Sequence, residues 1–161
     1  MSISFSGSEL LNIAVGIERR GIAFYDIMTR SADSDAARDT FQHLADMERE
    51  HIHIFQDMLS DVDKYQPSAT SIEEYADYLR ALIDSAVFTD AMITSEMATD
   101  ANSDIRALEL GISAEKDSIL FYYVMKDMMP RGAQPAVNKI IAEEKTHLRQ
   151  LSELKKKLAA I

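Results

Sequence analysis

Glu48-Arg49-Glu50-His51 and Glu144-Lys145-Thr146-His147 are the two stretches on which the reading of this chain turns. A Glu and a His three residues apart sit one turn from each other on the same face of an α-helix. Glu18 and Glu115 precede these phrases, each alone inside an apolar helical pattern. Two Glu-x-x-His turns and two further Glu residues are the side chains a four-helix bundle uses to hold two metal ions in its core.

The pattern around the phrases predicts the bundle. Ser6-Gly7-Ser8-Glu9 is a capping-box sequence ahead of a helix that reaches about Arg30. On that helix Leu11, Ala14, Glu18, Ile22 and Tyr25 form one stripe, and Ile13, Ile17, Phe24 and Ile27 a second. Two apolar stripes predict burial on more than one side, under the crossover segment or a second subunit. Ser31–Asp35 reads as a turn, followed by a helix to Asp61 whose inner face carries Phe41, Leu44, Glu48, His51, Phe55 and Met58. Lys64 to Thr70, with Pro67, reads as loop, and Ser71 opens a shorter helix to about Phe88. Residues 89–102 are ambiguous between a helical turn and a packed loop, and no function attaches to them. Asn102-Ser103-Asp104 caps a third long helix, which Pro130-Arg131-Gly132 stops. The fourth runs from about Pro135 to Leu158, and Lys155, Lys156 and Lys157 suit its negative dipole end.

The two halves repeat. Setting residue 18 on residue 115 pairs Ile22 with Ile119, Phe24 with Phe121, Tyr25 with Tyr122 and Met28 with Met125. Glu48 then falls on Glu144 and His51 on His147, with the offset changing only from 97 to 96. In an antiparallel hairpin, residues equidistant from the turn lie side by side. The midpoint of Glu18 and Glu48 is residue 33, and that of Glu115 and Glu144 is 129.5; each falls at or beside a turn marked independently by Asp, Ser, Pro or Gly. Each lone Glu is therefore expected to face the Glu-x-x-His of its own hairpin. The crossover between the halves is long enough to span the length of a bundle.

Four carboxylates and two imidazoles are hard and intermediate donors that suit iron or manganese. Two divalent ions would balance four Glu, whereas an empty site would crowd carboxylates in a core and force some to take up protons. Singly, Glu18 and Glu115 could each be a buried, paired carboxylate; jointly, six matched residues at one level favour metal. Glu50 and His53 repeat the same spacing, but Glu50 lies about 200° around the helix from Glu48, among Asp46, Arg49 and Asp57, and reads as solvated surface. His43 also falls off the inner face. Glu143 reads as a surface salt-bridging residue. Tyr25 and Tyr122 admit two readings, core filling or hydrogen bonding near the metals.

Composition narrows the functional classes. A chain of 161 residues with 47% hydrophobic residues fits one domain with a sizeable core, 1–161. The net charge of −10 argues against nucleic acid and anionic membrane as partners. No apolar run is long enough to span a membrane, and no secretory signal opens the sequence, so a cytoplasmic location is expected. The chain has no Cys, which removes disulfides, thiolate metal sites and a Cys-x-x-Cys electron-transfer module.

Glu18-Arg-Arg-Gly-Ile-Ala-Phe-Tyr25 with Glu48-Arg-Glu-His51, and Glu115-Lys-Asp-Ser-Ile-Leu-Phe-Tyr122 with Glu144-Lys-Thr-His147, resemble the ferritin-like di-iron carboxylate superfamily, and within it the rubrerythrin-type domain. The resemblance covers the four long helices and implies an all-α, ferritin-like four-helix bundle with a long crossover carrying a short extra helix. It implies that Glu48 and Glu144 bridge two iron ions, with manganese as the alternative metal. Glu18 and His51 would complete one ion, Glu115 and His147 the other. The implied activity is non-haem di-iron oxidoreduction of peroxide or dioxygen; the alternative is ferroxidase or iron-binding work for storage or delivery. Two features depart from rubrerythrins. They carry a further Glu three residues beyond the third-helix ligand, where this chain has Ser118. They also carry a Cys-ligated rubredoxin iron, so this chain is expected to draw electrons from an external donor protein. A homodimer is the expected assembly.

Overall fold

Side-chain capping decides where three of the long helices start. The computed structural model describes residues 5–61, 72–86 and 103–161. These form α1 (Gly7–Ser31), α2 (Asp35–Ser60), α3 (Ile72–Asp84), α4 (Asp104–Met128) and α5 (Gln134–Ala159). The expected loop with Pro67, and residues 89–102, lie outside the described residues. Ser6 Oγ accepts from Glu9 N at 3.1 Å and Glu9 Oε2 accepts from Ser6 N at 2.6 Å, completing the predicted capping box. Ser34 and Ser103 cap α2 and α4 through the backbone N–H groups of Ala37 and Arg106. No side chain caps α5; Pro135 in its first turn needs no partner for an N–H and presets φ.

Each hairpin packs mainly on itself, α1 on α2 and α4 on α5; between hairpins α1 faces α4 and α2 faces α5. Tyr25 meets Glu115 while Tyr122 meets Glu18, so α1 and α4 run antiparallel. His51 lies by Glu144 and His147 by Glu48, so α2 and α5 do too. The directions are up, down, down, up, and the chain between α2 and α4 must traverse the bundle's length, as expected for one long crossover. Asp104, at the start of α4, fastens it to the first hairpin turn, accepting from Asp33 N and Ser34 N at 2.9 Å each.

The apolar core falls into two clusters. One is built around Leu10, Leu11, Phe55, Met125 and Ile140, the other around Phe24, Met28, Phe41, Leu108 and Leu151. Glu18, Glu48, His51, Glu115, Glu144 and His147 occupy the helix turns between the clusters, and all six are buried. The second stripe of α1 is used as expected. Ile13 and Ile17 share a cavity wall with Leu82 and Ile83 of the crossover region, and Leu79 enters the core. No described helix is long and apolar enough to cross a membrane.

Candidate metal centre

Residues one turn apart on α2 and α5 aim inward at one level, and Glu18 and Glu115 reach the same layer from α1 and α4. The result is two overlapping groups. One ligand atom each from Glu18, Glu48, His51 and Glu144 lie within 4.8 Å of one another, and so do those from Glu48, Glu115, Glu144 and His147. Glu48 and Glu144 belong to both groups. The rings of His51 and His147 stack with centroids 5.6 Å apart, closing the α2–α5 side of the layer.

The nitrogens and oxygens point at shared positions. His51 Nδ1 lies 3.0 Å from Glu48 Oε2, 3.0 Å from Glu144 Oε1 and 3.5 Å from Glu18 Oε2. One ring nitrogen carries at most one proton and cannot satisfy three carboxylates; its hydrogen bond goes to Glu48. His147 Nδ1 lies 3.4 Å from Glu144 Oε2 and 3.9 Å from Glu115 Oε2 without a hydrogen bond. Both oxygens of Glu144 and Oε2 of Glu115 are likewise buried without a hydrogen-bond partner. Buried polar atoms are normally satisfied, and orphans gathered at one point call for an ion. This hard oxygen and imidazole set fits iron or manganese.

Electrostatics agrees with that fit. Burial, then the charges of Glu144 and Glu18, hold the Glu48 carboxyl well above its ordinary range. Burial, then Glu144, do the same to Glu115, and burial raises Glu144. Burial also pushes Glu18 up, but hydrogen bonds with Glu48 and His51 outweigh it and the net direction is down. Burial opposes charging of His51, yet the surrounding carboxylates of Glu144, Glu18 and Glu48 raise it; burial lowers His147. The metal-free layer therefore holds protons where cations would sit.

Around this layer the structure settles the reading of the two tyrosines and refines that of Glu143. Tyr25 donates its hydroxyl hydrogen to Glu115 Oε1, and Tyr122 donates to Glu18 Oε1. Each tyrosine thus serves the Glu of the opposite hairpin, a pairing that spacing within one helix could not reveal. Burial, then the carboxylate beside each ring, raises both tyrosines well above their usual range, so they remain donors. Glu143 forms an ion pair, as expected, but a half-buried one with an inward partner: its Oε2 lies 2.9 Å from His51 Nε2, the outer nitrogen of the ring. Its neighbour Glu144 points inward, and helix geometry leaves Glu143 room to reach back across to α2. At the corresponding position of the first half stands Met47, so the available repeat gave no signal for it. Glu50, His53 and His43 are exposed, as the helical phase predicted.

Among the described residues, the opposite side of the layer carries a cavity. A cavity of about 50 Å³ lies between α1 and α4, and Glu18, Glu48 and Glu115 line its floor, with Gly21 and Ser118 beside them. Glu144 and both His residues do not line it.

Comparison with known proteins places this arrangement. The rubrerythrin family profile matches residues 9–155. A crystal structure described as that of a ferritin-like di-iron carboxylate protein from Thermotoga maritima superposes with a TM-score of 0.70. It is 32% identical, covering 95% of this chain and 96% of that one. No curated protein sequence matches the chain significantly. The profile spans all four long helices and both Glu-x-x-His turns, and the chain belongs to the rubrerythrin family of ferritin-like di-iron carboxylate proteins.

Proposed function

We propose that this chain is a non-haem di-iron oxidoreductase that reduces peroxide or dioxygen at the Glu/His layer. The observation that carries the reading is the pair of overlapping four-residue groups sharing Glu48 and Glu144, with unpartnered buried oxygens aimed into them. Glu18 and His51 would hold one ion, Glu115 and His147 the other, and Glu48 and Glu144 both. Bound as a ferrous pair, the ions supply the two electrons that reduction of a peroxide to water consumes.

The protein's own groups do the rest. Tyr122 and Tyr25 fix the outer carboxylates Glu18 and Glu115 by hydrogen bonds, and keep their protons while doing so. Glu143 holds the outer nitrogen of His51, which leaves Nδ1 directed at the layer. The stacked imidazoles and the two apolar clusters pack around the layer. The substrate would approach by the cavity between α1 and α4, across Glu48. With no Cys in the chain, turnover needs an external electron-donor protein. A second copy of the chain completes the assembly we propose.

The test is metal content after anaerobic loading with ferrous iron and desalting, followed by peroxide consumption with an external reductant. Two irons per chain, lost in Glu144→Ala, with catalytic peroxide consumption, is the expected result. Many irons per chain in a large particle would favour iron storage, and a chain that binds no iron would return the layer to a structural role.

A further inference from the structure

The cavity between α1 and α4 reaches the layer described above, and Glu48 is among the carboxylates that line it. Gly21 stands against that carboxylate. A Cβ built on Gly21 would lie 3.6 Å from Glu48 Cγ, 3.8 Å from Cδ and 3.9 Å from Oε1. These are ordinary contact distances, so packing does not demand a glycine there, and mid-helix glycine is a poorer helix former than alanine. What the missing side chain provides is space beside Glu48. Ser118, on α4, is the counterpart of Gly21 in the second half of the repeat, at the same offset that pairs Glu18 with Glu115. Both residues line the cavity, and the antiparallel pairing of α1 with α4 brings them to within about one residue of the same level. The duplicated helices therefore put a small residue one turn beyond each outer carboxylate, opposite each other across the gap. Ile17, Phe121 and Leu82 make much of the surrounding wall apolar, and Arg20 and Asp117 are its charged members. At about 10–15 Å³ per water position, a volume of about 50 Å³ admits a few waters or one small uncharged molecule and no bulky organic group.

We propose that this cavity is the oxidant's route to the centre, and that Gly21 and Ser118 set its size limit. Hydrogen peroxide and dioxygen pass between them; hydroperoxides with large organic groups do not. The proposal rests on the di-iron reading, and its test separates the two.

The experiment uses iron-loaded full-length chain and two readouts. The first is the rate at which azide, a small probe of the oxidised iron pair, develops its absorption band. The second is the rate of reaction with hydrogen peroxide against cumene hydroperoxide. Gly21→Leu and Ser118→Leu are expected to keep their iron and to slow azide association at least tenfold, with hydrogen peroxide slowed in parallel. Gly21→Ala, whose Cβ fits, slows both a few-fold. Ser60→Ala is the control: Ser60 is exposed at the end of α2, bonds to Asp57 O of its own turn, and does not line the cavity. It leaves both rates unchanged. The native chain reacts with cumene hydroperoxide at least a hundredfold more slowly than with hydrogen peroxide. Iron-loaded leucine variants with native azide rates, or equal rates for the two peroxides in the native chain, would overturn the inference while leaving the di-iron reading intact. Absence of iron from the native chain overturns both. If Gly21→Leu fails to fold, Ser118→Leu and Gly21→Ala decide the matter on the same readouts.

Discussion

Replacing Glu144 by Leu should stabilise the metal-free chain and destabilise the metal-loaded one. Glu144 is 1% exposed, and neither of its oxygens has a hydrogen-bond partner. A buried, unsatisfied polar group costs roughly 1–3 kcal/mol, and exchanging buried charges for apolar side chains of similar volume stabilises by about 1–4 kcal/mol in favourable cases. Against this, His51 loses a carboxylate 3.0 Å away but retains Glu18, Glu48 and Glu143. A net gain of about 2 kcal/mol is expected, equivalent in a chain of this size to a rise in Tm of about 4–8 °C. The native chain should instead gain about 2.7 kcal/mol from ferrous iron at a hundred times its dissociation constant, and the variant almost nothing. The order of melting temperatures should then invert on adding metal. Thermal melts followed by circular dichroism, with chelator and with anaerobic ferrous iron, read both arms. A variant less stable than the native chain in chelator would refute the reasoning, because Glu144 would then support the fold rather than await a cation.

Three further outcomes are expected. The metal-free chain should lose stability as pH rises from about 5 to about 8: the raised Glu48, Glu115 and Glu144 carboxyls and the raised His51 bind protons in the folded state that the unfolded chain has already released. His147, shifted down, opposes this, whereas Glu18, shifted down, has its effect only below this range; chemical denaturation across that range checks the sign, and ferrous binding should release protons measurable in weak buffer. Glu143→Ala should lower metal affinity about 10–100-fold by freeing the outer nitrogen of His51, as titration against a competing chelator would show. Asp104→Ala should cost about 1–2 kcal/mol by releasing the first hairpin turn from α4, with no change in iron per chain.

Most of the layer's placement was legible because burial and register follow from local rules. Ser6, Ser34 and Ser103 start helices where side-chain capping predicts, and the turn centred on residue 33 fixes Glu18 against Glu48 by simple equidistance. The repeat then makes one half a check on the other, and helical phase separately told the exposed Glu50 and His53 from the buried pair. Illegible were the relations between hairpins. No spacing on α1 says that Tyr25 will serve Glu115, and none on α5 says that Glu143 will reach His51, since both depend on how the hairpins dock. Gly21 was silent for another reason: a missing side chain leaves no periodic mark, and its significance arises only once Glu48 stands beside it.

The sharing of Glu48 and Glu144 has a mechanical consequence. Each four-residue group takes three members from one hairpin and borrows a single carboxylate from the other. The hairpins touch one another far less than their own helices touch within each pair. A pair of ions seated in this layer would thus act as a clasp across a seam looser than the packing within either hairpin, and neither hairpin could close it alone. Chelation should then loosen the seam before it melts any helix, so that amide exchange quickens first where α1 meets α4 and α2 meets α5.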